Sequence, residues 1–254
     1  MNGVFATVQV RMGSSRLPGK VMREVSGIPL LGHLLNRLSL SKTLNGIVVA
    51  TSVNVENDII ENYCHSRGTL CFRGSEDDVL GRMVGAVQGV EAEIGVEIFG
   101  DCPLIDPAIV DDLVQRFVDA KGTLDFLGND LKTTYPPGME VEVFAVAALV
   151  DAATRTKDPA IREHGTLFIR QNPGIYKILN VEAPRAHFRP DLSMEVDTDV
   201  DFDVVANVIE NFGSRLDFSL SEVIAFLDAN PTFVDRTRQV PRRWKQFRED
   251  GKNG

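Results

Sequence analysis

The chain has 254 residues, 43% of them hydrophobic and 25% charged, close to a soluble globular average, which excludes long disorder, collagen and a coiled coil. With 27 basic and 36 acidic side chains the net charge is −9, and so acidic a chain is poorly suited to non-specific nucleic-acid binding. No stretch approaches the ~18–20 apolar residues of a membrane helix, and Met1 to Thr7 lacks the basic region of a signal peptide.

Val4 to Val10 is a β-branched run and predicts a first strand. Arg11 to Lys20 follows as a loop rich in Gly, Ser and Pro. Leu30, Leu31, Leu34, Leu35 and Leu38 repeat at helical spacing and predict a helix over Pro29 to Leu40. Gly46 to Ser52 is a continuous apolar run, as in a strand buried on both faces. Next come a helix over Val55 to Ser66 capped by Asn54, a strand over Thr69 to Arg73, and a helix over Asp77 to Glu91 capped by Ser75 or Asp77. A strand over Gly95 to Gly100 and a helix over Pro107 to Ala120 close the first half. The second half is less regular. Strands are expected over Leu124 to Leu127, Val141 to Ala145, Ile175 to Asn180 and Ser193 to Val196. Helices are expected over Val146 to Thr154, Ile161 to Gln171, Val200 to Phe212 and Leu220 to Leu227. Four strand–helix alternations predict an α/β fold with a mostly parallel central sheet flanked by helices, and ligands beyond the carboxyl ends of its strands.

The three cysteines, Cys64, Cys71 and Cys102, form no Cys-x-x-Cys pair and read as reduced thiols of a cytoplasmic protein. The loop from Arg11 to Lys20 is the sharpest signal. Its glycines let backbone N–H groups approach a phosphate, and Arg11, Arg16 and Lys20 supply charge against it. It is not a P-loop, because five residues separate Gly13 from Gly19 and Val21 follows Lys20. Nor is it a Gly-x-Gly-x-x-Gly dinucleotide fingerprint. Among the acids, Asp101 ends the fourth strand, where a turn or cap residue is equally natural. The run Glu195, Asp197, Asp199, Asp201, Asp203 fails as an EF-hand, having Phe202 at the glycine position and Val208 at the last. Asp199 is expected to cap a helix, with Asp201 and Asp203 in its first turns.

Gln9 to Lys20 resembles the N-terminal motif of bacterial sugar-acid cytidylyltransferases, most closely the spore-coat polysaccharide and acylneuraminate branch. The 3-deoxy-manno-octulosonate and sialic-acid enzymes are more distant. Phe72 to Arg82, Gly100 to Pro107, Tyr135 to Phe144, Arg162-Glu163-His164 and Val196-Asp197-Thr198 agree in the same order. One departure is Asp199-Val200-Asp201-Phe202, where relatives carry Pro-Glu-Asp-Leu.

The resemblance implies a Rossmann-like nucleotide-diphospho-sugar transferase fold in one domain over residues 1–235. Residues 1–122 would be its nucleotide-binding half, residues 123–235 its acceptor-binding and dimer-forming part, and residues 236–254 a charged tail. It implies that CTP and an acidic, nonulosonic-type, or phosphorylated sugar are joined to give a CMP-sugar and pyrophosphate for surface polysaccharide. Mg²⁺ would be held by Asp101 and Asp197, and Arg11, Lys20 and Asp101 would be catalytic. Nucleotide contacts are expected from Arg11, Gly13, Ser14, Ser15, Arg16 and Lys20, and from Arg73, Ser75, Asp78 and Gly100. Acceptor contacts are expected from Tyr135, Glu140, Glu142 and His164, with Glu140 and Glu142 on one strand face. A homodimer is expected, with no nucleic-acid or membrane partner. Three rivals remain: a guanylyl- or uridylyltransferase acting on a sugar 1-phosphate, a non-catalytic nucleotide-binding protein, and a glycosyltransferase of the same architecture. Asp101-Cys102-Pro103 lacks the Asp-x-Asp metal motif usual in the last.

Overall fold

Val4–Gln9 (β1) runs through the middle of a seven-stranded sheet, described by a computed structural model over residues 3–242. On one side of β1 lie Gly46–Ser52 (β4) and then Leu70–Gly74 (β5); on the other lie Ile94–Phe99 (β6), Glu142–Ala145 (β8), Phe126–Gly128 (β7) and Ile178–Asn180 (β9). β8 alone runs against the other six. The chain thus leaves β1 toward β4 and β5, then returns to β6 on the opposite side. The gap between the carboxyl ends of β1 and β6 is therefore the switch point at which such sheets bind ligands.

Side-chain alternation divides the sheet into two apolar faces. Val4, Ala6, Val8, Val96 and Ile98 pack against Leu30–Leu38 (α1), Pro107–Asp119 (α4), Asp199–Phe212 (α8) and Leu220–Ala229 (α9). Phe126 and Phe144 pack against Val79–Gly89 (α3), Val146–Arg155 (α5) and Leu167–Gln171 (α7). Each wholly buried leucine or phenylalanine contributes about 1.5–3 kcal/mol. Arg37 in α1 is 2% exposed, stacks on the Phe218 ring and donates to the carbonyls of Ile105, Leu216 and Phe218 at 2.7–2.9 Å. It ties α1 to the loop after β6 and to the α8–α9 connection.

Several expected elements differ. A two-residue hairpin, Glu24–Val25 (β2) and Ile28–Pro29 (β3), closed by Ser26 and Gly27 with φ of 52° and 77°, precedes α1 and takes Pro29 out of the expected helix. The helix expected from Ile161 to Gln171 is broken into Pro159–Arg162 (α6) and α7 by a turn at Gly165. Ser193 to Val196 is not a strand: Met194 donates to Pro137 O at 2.7 Å and Val196 to Asp101 O at 2.8 Å, one bond to each of two loops and no ladder. Asp58–Ser66 (α2) begins after a 3₁₀ turn, and the Asn54 side chain does not cap it. Asp78, not Ser75 or Asp77, caps α3 by accepting from Gly81 N at 2.8 Å. Thr198, not Asp199, caps α8 in a capping box with Asp201.

The boundary drawn at residue 235 falls inside Pro231–Arg238 (α10), whose Val234 and Thr237 are buried. Of the tail, residues 243–254 lie outside the described residues. Among the described residues no helix is long and apolar enough to cross a membrane.

Candidate active site

The loop after β1 is folded by its own backbone and by Asn57. Gly19 N donates to Met12 O at 2.8 Å, and Met12 N donates to Asn57 Oδ1 at 2.8 Å. Gly19 has φ of 69°, the left-handed conformation that turns the chain into a short 3₁₀ helix and sends Lys20 inward. Lys20 Nζ donates to Asp101 Oδ2 at 2.7 Å, to Val196 O at 2.6 Å and to Asp197 Oδ1 at 3.2 Å. The three N–H bonds of one ammonium are thereby all engaged. Asp101 stands at the end of β6, and its peptide oxygen holds Val196, so two carboxylates 96 residues apart in sequence converge on one cation.

Burial opposes charge on Lys20, but Asp101 and Asp197 outweigh it and hold the ammonium above its ordinary pKa. Burial likewise opposes ionisation of Asp101, and Lys20 reverses that, holding the carboxyl below the usual range. Arg16 Nη2 pairs with Asp197 Oδ2 at 2.5 Å, and Arg11 Nη1 with Glu76 Oε1 at 2.8 Å. The Asp197 turn is anchored from behind. Asp201, 1% exposed, accepts from the N–H of Asp197 and Thr198 and pairs with Arg242 at 2.6 Å.

A cavity of about 520 Å³ opens at the switch point. Ser14, Ser15 and Gly100 line it beside Arg11, Arg16, Lys20, Asp101 and Asp197, and Glu142 and His164 line it from the second half. Six expected site residues do not reach it. Gly13 abuts Glu56. Arg73 is held by Asp58 and Glu61 at 2.5 and 2.8 Å and donates to the carbonyls of Ser52 and Asn54. Ser75 and Asp78 serve the N-terminus of α3, with Asp78 also pairing with Arg162 at 2.7 Å. Tyr135 is buried in the core against the His187 ring. Glu140 precedes β8 and turns back to accept from Gly138 N at 2.7 Å, so it does not share a strand face with Glu142.

The cavity also holds groups that sequence patterning did not single out: Gln9, Arg82, Glu97, Asp130 and Arg170. Register brings Glu97 of β6 opposite Glu142 of β8. Arg170 spans Asp130 and Glu142 at 3.0 and 2.8 Å. The one local signal is Glu97 itself, a lone charge in Val96-Glu97-Ile98. Burial pushes its carboxyl up to about 7. Raised above its ordinary 4.5, it contributes stability that is full below that pH and lost as pH rises through 7. Thermal melts of Glu97→Gln and wild type are therefore expected to coincide near pH 5 and to separate above pH 7, with wild type the less stable. Parallel curves would remove that titration.

A cytidylyltransferase family model matches residues 5–230. The chain belongs to the cytidylyltransferase family. It is 34% identical over 236 residues to the spore coat polysaccharide biosynthesis protein SpsF of Bacillus subtilis, covering 91% of this chain and 96% of that protein. Similarity to the 3-deoxy-manno-octulosonate cytidylyltransferase of Trichlorobacter lovleyi is 30% identity over 121 residues, 47% of this chain and 46% of that one. A solved cytidylyltransferase structure from Leptospira borgpetersenii superposes with a TM-score of 0.86 at 29% identity, covering 94% of this chain and 98% of that one. As a cytidylyltransferase, the chain is a nucleotidyltransferase.

Proposed function

We propose that this cytidylyltransferase uses Mg²⁺ to transfer the cytidylyl group of CTP to a hydroxyl of a sugar acid, releasing pyrophosphate, in cytoplasmic synthesis of a surface polysaccharide precursor. The convergence of Asp101 and Asp197 on Lys20 at the β1–β6 switch point carries the reading. The acceptor oxygen forms a bond to the α-phosphorus as the bond to the bridging oxygen breaks, and pyrophosphate leaves. Arg11, Arg16 and Lys20 hold the triphosphate, and Gly100 and the backbone after β1 give it room.

Charge matching supports a divalent cation. In the free protein Arg11 pairs with Glu76, Arg16 with Asp197, and Lys20 with Asp101 and Asp197, so three cations meet three carboxylates. That set carries no surplus positive charge for a triphosphate. Two converging carboxylates are the hard oxygen donors that Mg²⁺ takes together with phosphate oxygens and water. Asp101 and Asp197 would hold it, and when bound it supplies charge neutralisation at the phosphates. A homodimer through the β9 side is supported by Ile175 and Leu179, exposed apolar residues at the sheet edge.

The test is pyrophosphate release from CTP, UTP, GTP and ATP in turn, with a panel of sugar acids, with Mg²⁺ and with a chelator. CTP with Mg²⁺ is expected to be used, giving a product heavier than the sugar acid by one cytidylyl group. Turnover of GTP or UTP in preference to CTP would overturn the base assignment.

A further inference from the structure

Beyond Arg11, Arg16 and Lys20 the cavity floor changes character. Thr7, Glu97 and Glu142 form one row across β1, β6 and β8, on the sheet face that carries α3 and α7. Glu97 is 3% exposed and Glu142 wholly buried, and the two stand opposite each other across the β6–β8 pair. Thr166 Oγ1 donates to Glu142, and Arg170 joins Glu142 to Asp130. The turn between α6 and α7 comes close to this pair: a Cβ on Gly165 would lie 2.0 Å from Met83 Sδ and 2.7 Å from Glu97 Oε2, so a larger residue would have to displace those side chains.

Two positions along β1, Gln9 lines the same cavity. Its Oε1 accepts from Arg82 Nε at 3.2 Å. An arginine donates only, so this contact fixes the orientation of the amide. Gln9 Nε2 is then a buried donor without a hydrogen-bond partner among the described residues. A buried donor left unpaired costs stability, which a ligand atom at that point restores. Arg82 is turned to Gln9 and to the carbonyls of Ser75 and Glu76. The floor thus presents two adjoining carboxyls, an Asp130–Arg170 pair and one free amide donor.

We propose that this floor receives the end of the acceptor remote from its reacting hydroxyl, and selects a remote end that donates hydrogen bonds, a hydroxyl or an ammonium, and excludes one that carries an anion. The inference rests on the sugar-acid cytidylyltransferase reading and adds to it a selection at the other end of the substrate. The reacting hydroxyl belongs beside Lys20, so the remainder of the molecule extends over Gln9 toward Glu97. A donor there meets carboxyl oxygens, and a lone pair on the same group meets Gln9 Nε2. A phosphate or carboxylate there would face Glu97, Glu142 and Asp130, while Arg170 is already held by Asp130 and Glu142 and Arg82 is turned to Gln9 and two carbonyls.

Three probes differing at one carbon test this: 3-deoxy-manno-octulosonate, its 8-amino-8-deoxy counterpart and its 8-phosphate. Each is titrated calorimetrically into the full-length protein. The amino and hydroxyl probes are expected to bind at least tenfold more tightly than the phosphate. Glu97→Gln, checked for a cooperative melt, is expected to narrow that ratio below threefold. Gln9→Leu, a second variant outside the carboxyl pair, is expected to weaken the hydroxyl probe about tenfold. Equal affinity for all three probes, or binding of none, overturns the proposal. Pyrophosphate release from CTP, recorded on the same samples, reports on the cytidylyltransferase reading by itself, so the two failures are told apart.

Discussion

Asp101→Asn is expected to lower turnover by about 10³-fold, or about 4 kcal/mol of transition-state stabilisation. The substitution keeps size and one acceptor oxygen but removes the charge. Asp101 is a carboxylate that Lys20 holds ionised, and among the described residues it and Asp197 are the two side chains that converge on that cation. An amide there leaves a divalent cation with half its protein charge, and the Mg²⁺ concentration needed for half-maximal rate should rise. The fold should survive, because Val196 is held by the Asp101 peptide oxygen and not by its side chain. Rate measurements over a Mg²⁺ series, beside a thermal melt, check both parts. An unchanged rate would remove Asp101 from the chemistry.

Lys20→Ala is expected to weaken CTP binding about 100-fold, close to 2.7 kcal/mol. Its ammonium is buried, and its three N–H bonds reach two carboxylates and a carbonyl around a single nitrogen. Removing it leaves Asp101 and Asp197 facing each other without that cation, a local field that repels a triphosphate. Lys20→Arg should not restore binding: a planar guanidinium cannot direct three bonds from one centre. A competition titration with CTP reads both variants, and an affinity within threefold of wild type in Lys20→Ala would take Lys20 out of the binding site.

What the sequence revealed of this site follows from which contacts are local. The Arg11 to Lys20 loop, Asp101 and Asp197 each sit at a strand end or beside a helix start, in segments whose spacing is readable along the chain. The capping of α8 by Thr198 needed only the pairing of Thr198 with Asp201 three residues on, but the acids around it made Asp199 the more obvious cap. The cavity floor was another matter. Glu97 and Glu142 become neighbours only through the reversed register of β8 against β6, and Arg170 reaches them only because Gly165 breaks a stretch whose apolar spacing reads as one helix. Arg73 and Arg162 show the converse. Both stand in segments shared with the family, yet Arg73 locks α2 to β5, and Arg162 locks α6 to the start of α3. A shared segment places a residue near a site without saying which way its side chain is committed.

If the cavity between β1 and β6 is a CTP site completed by a divalent cation, CTP and the cation must bind there together. Calorimetric titration of CTP into the wild-type protein, with and without Mg²⁺, measures this directly. Tight binding that requires Mg²⁺ is the predicted result; binding of equal strength in its absence, or no binding of CTP at all, would contradict the account.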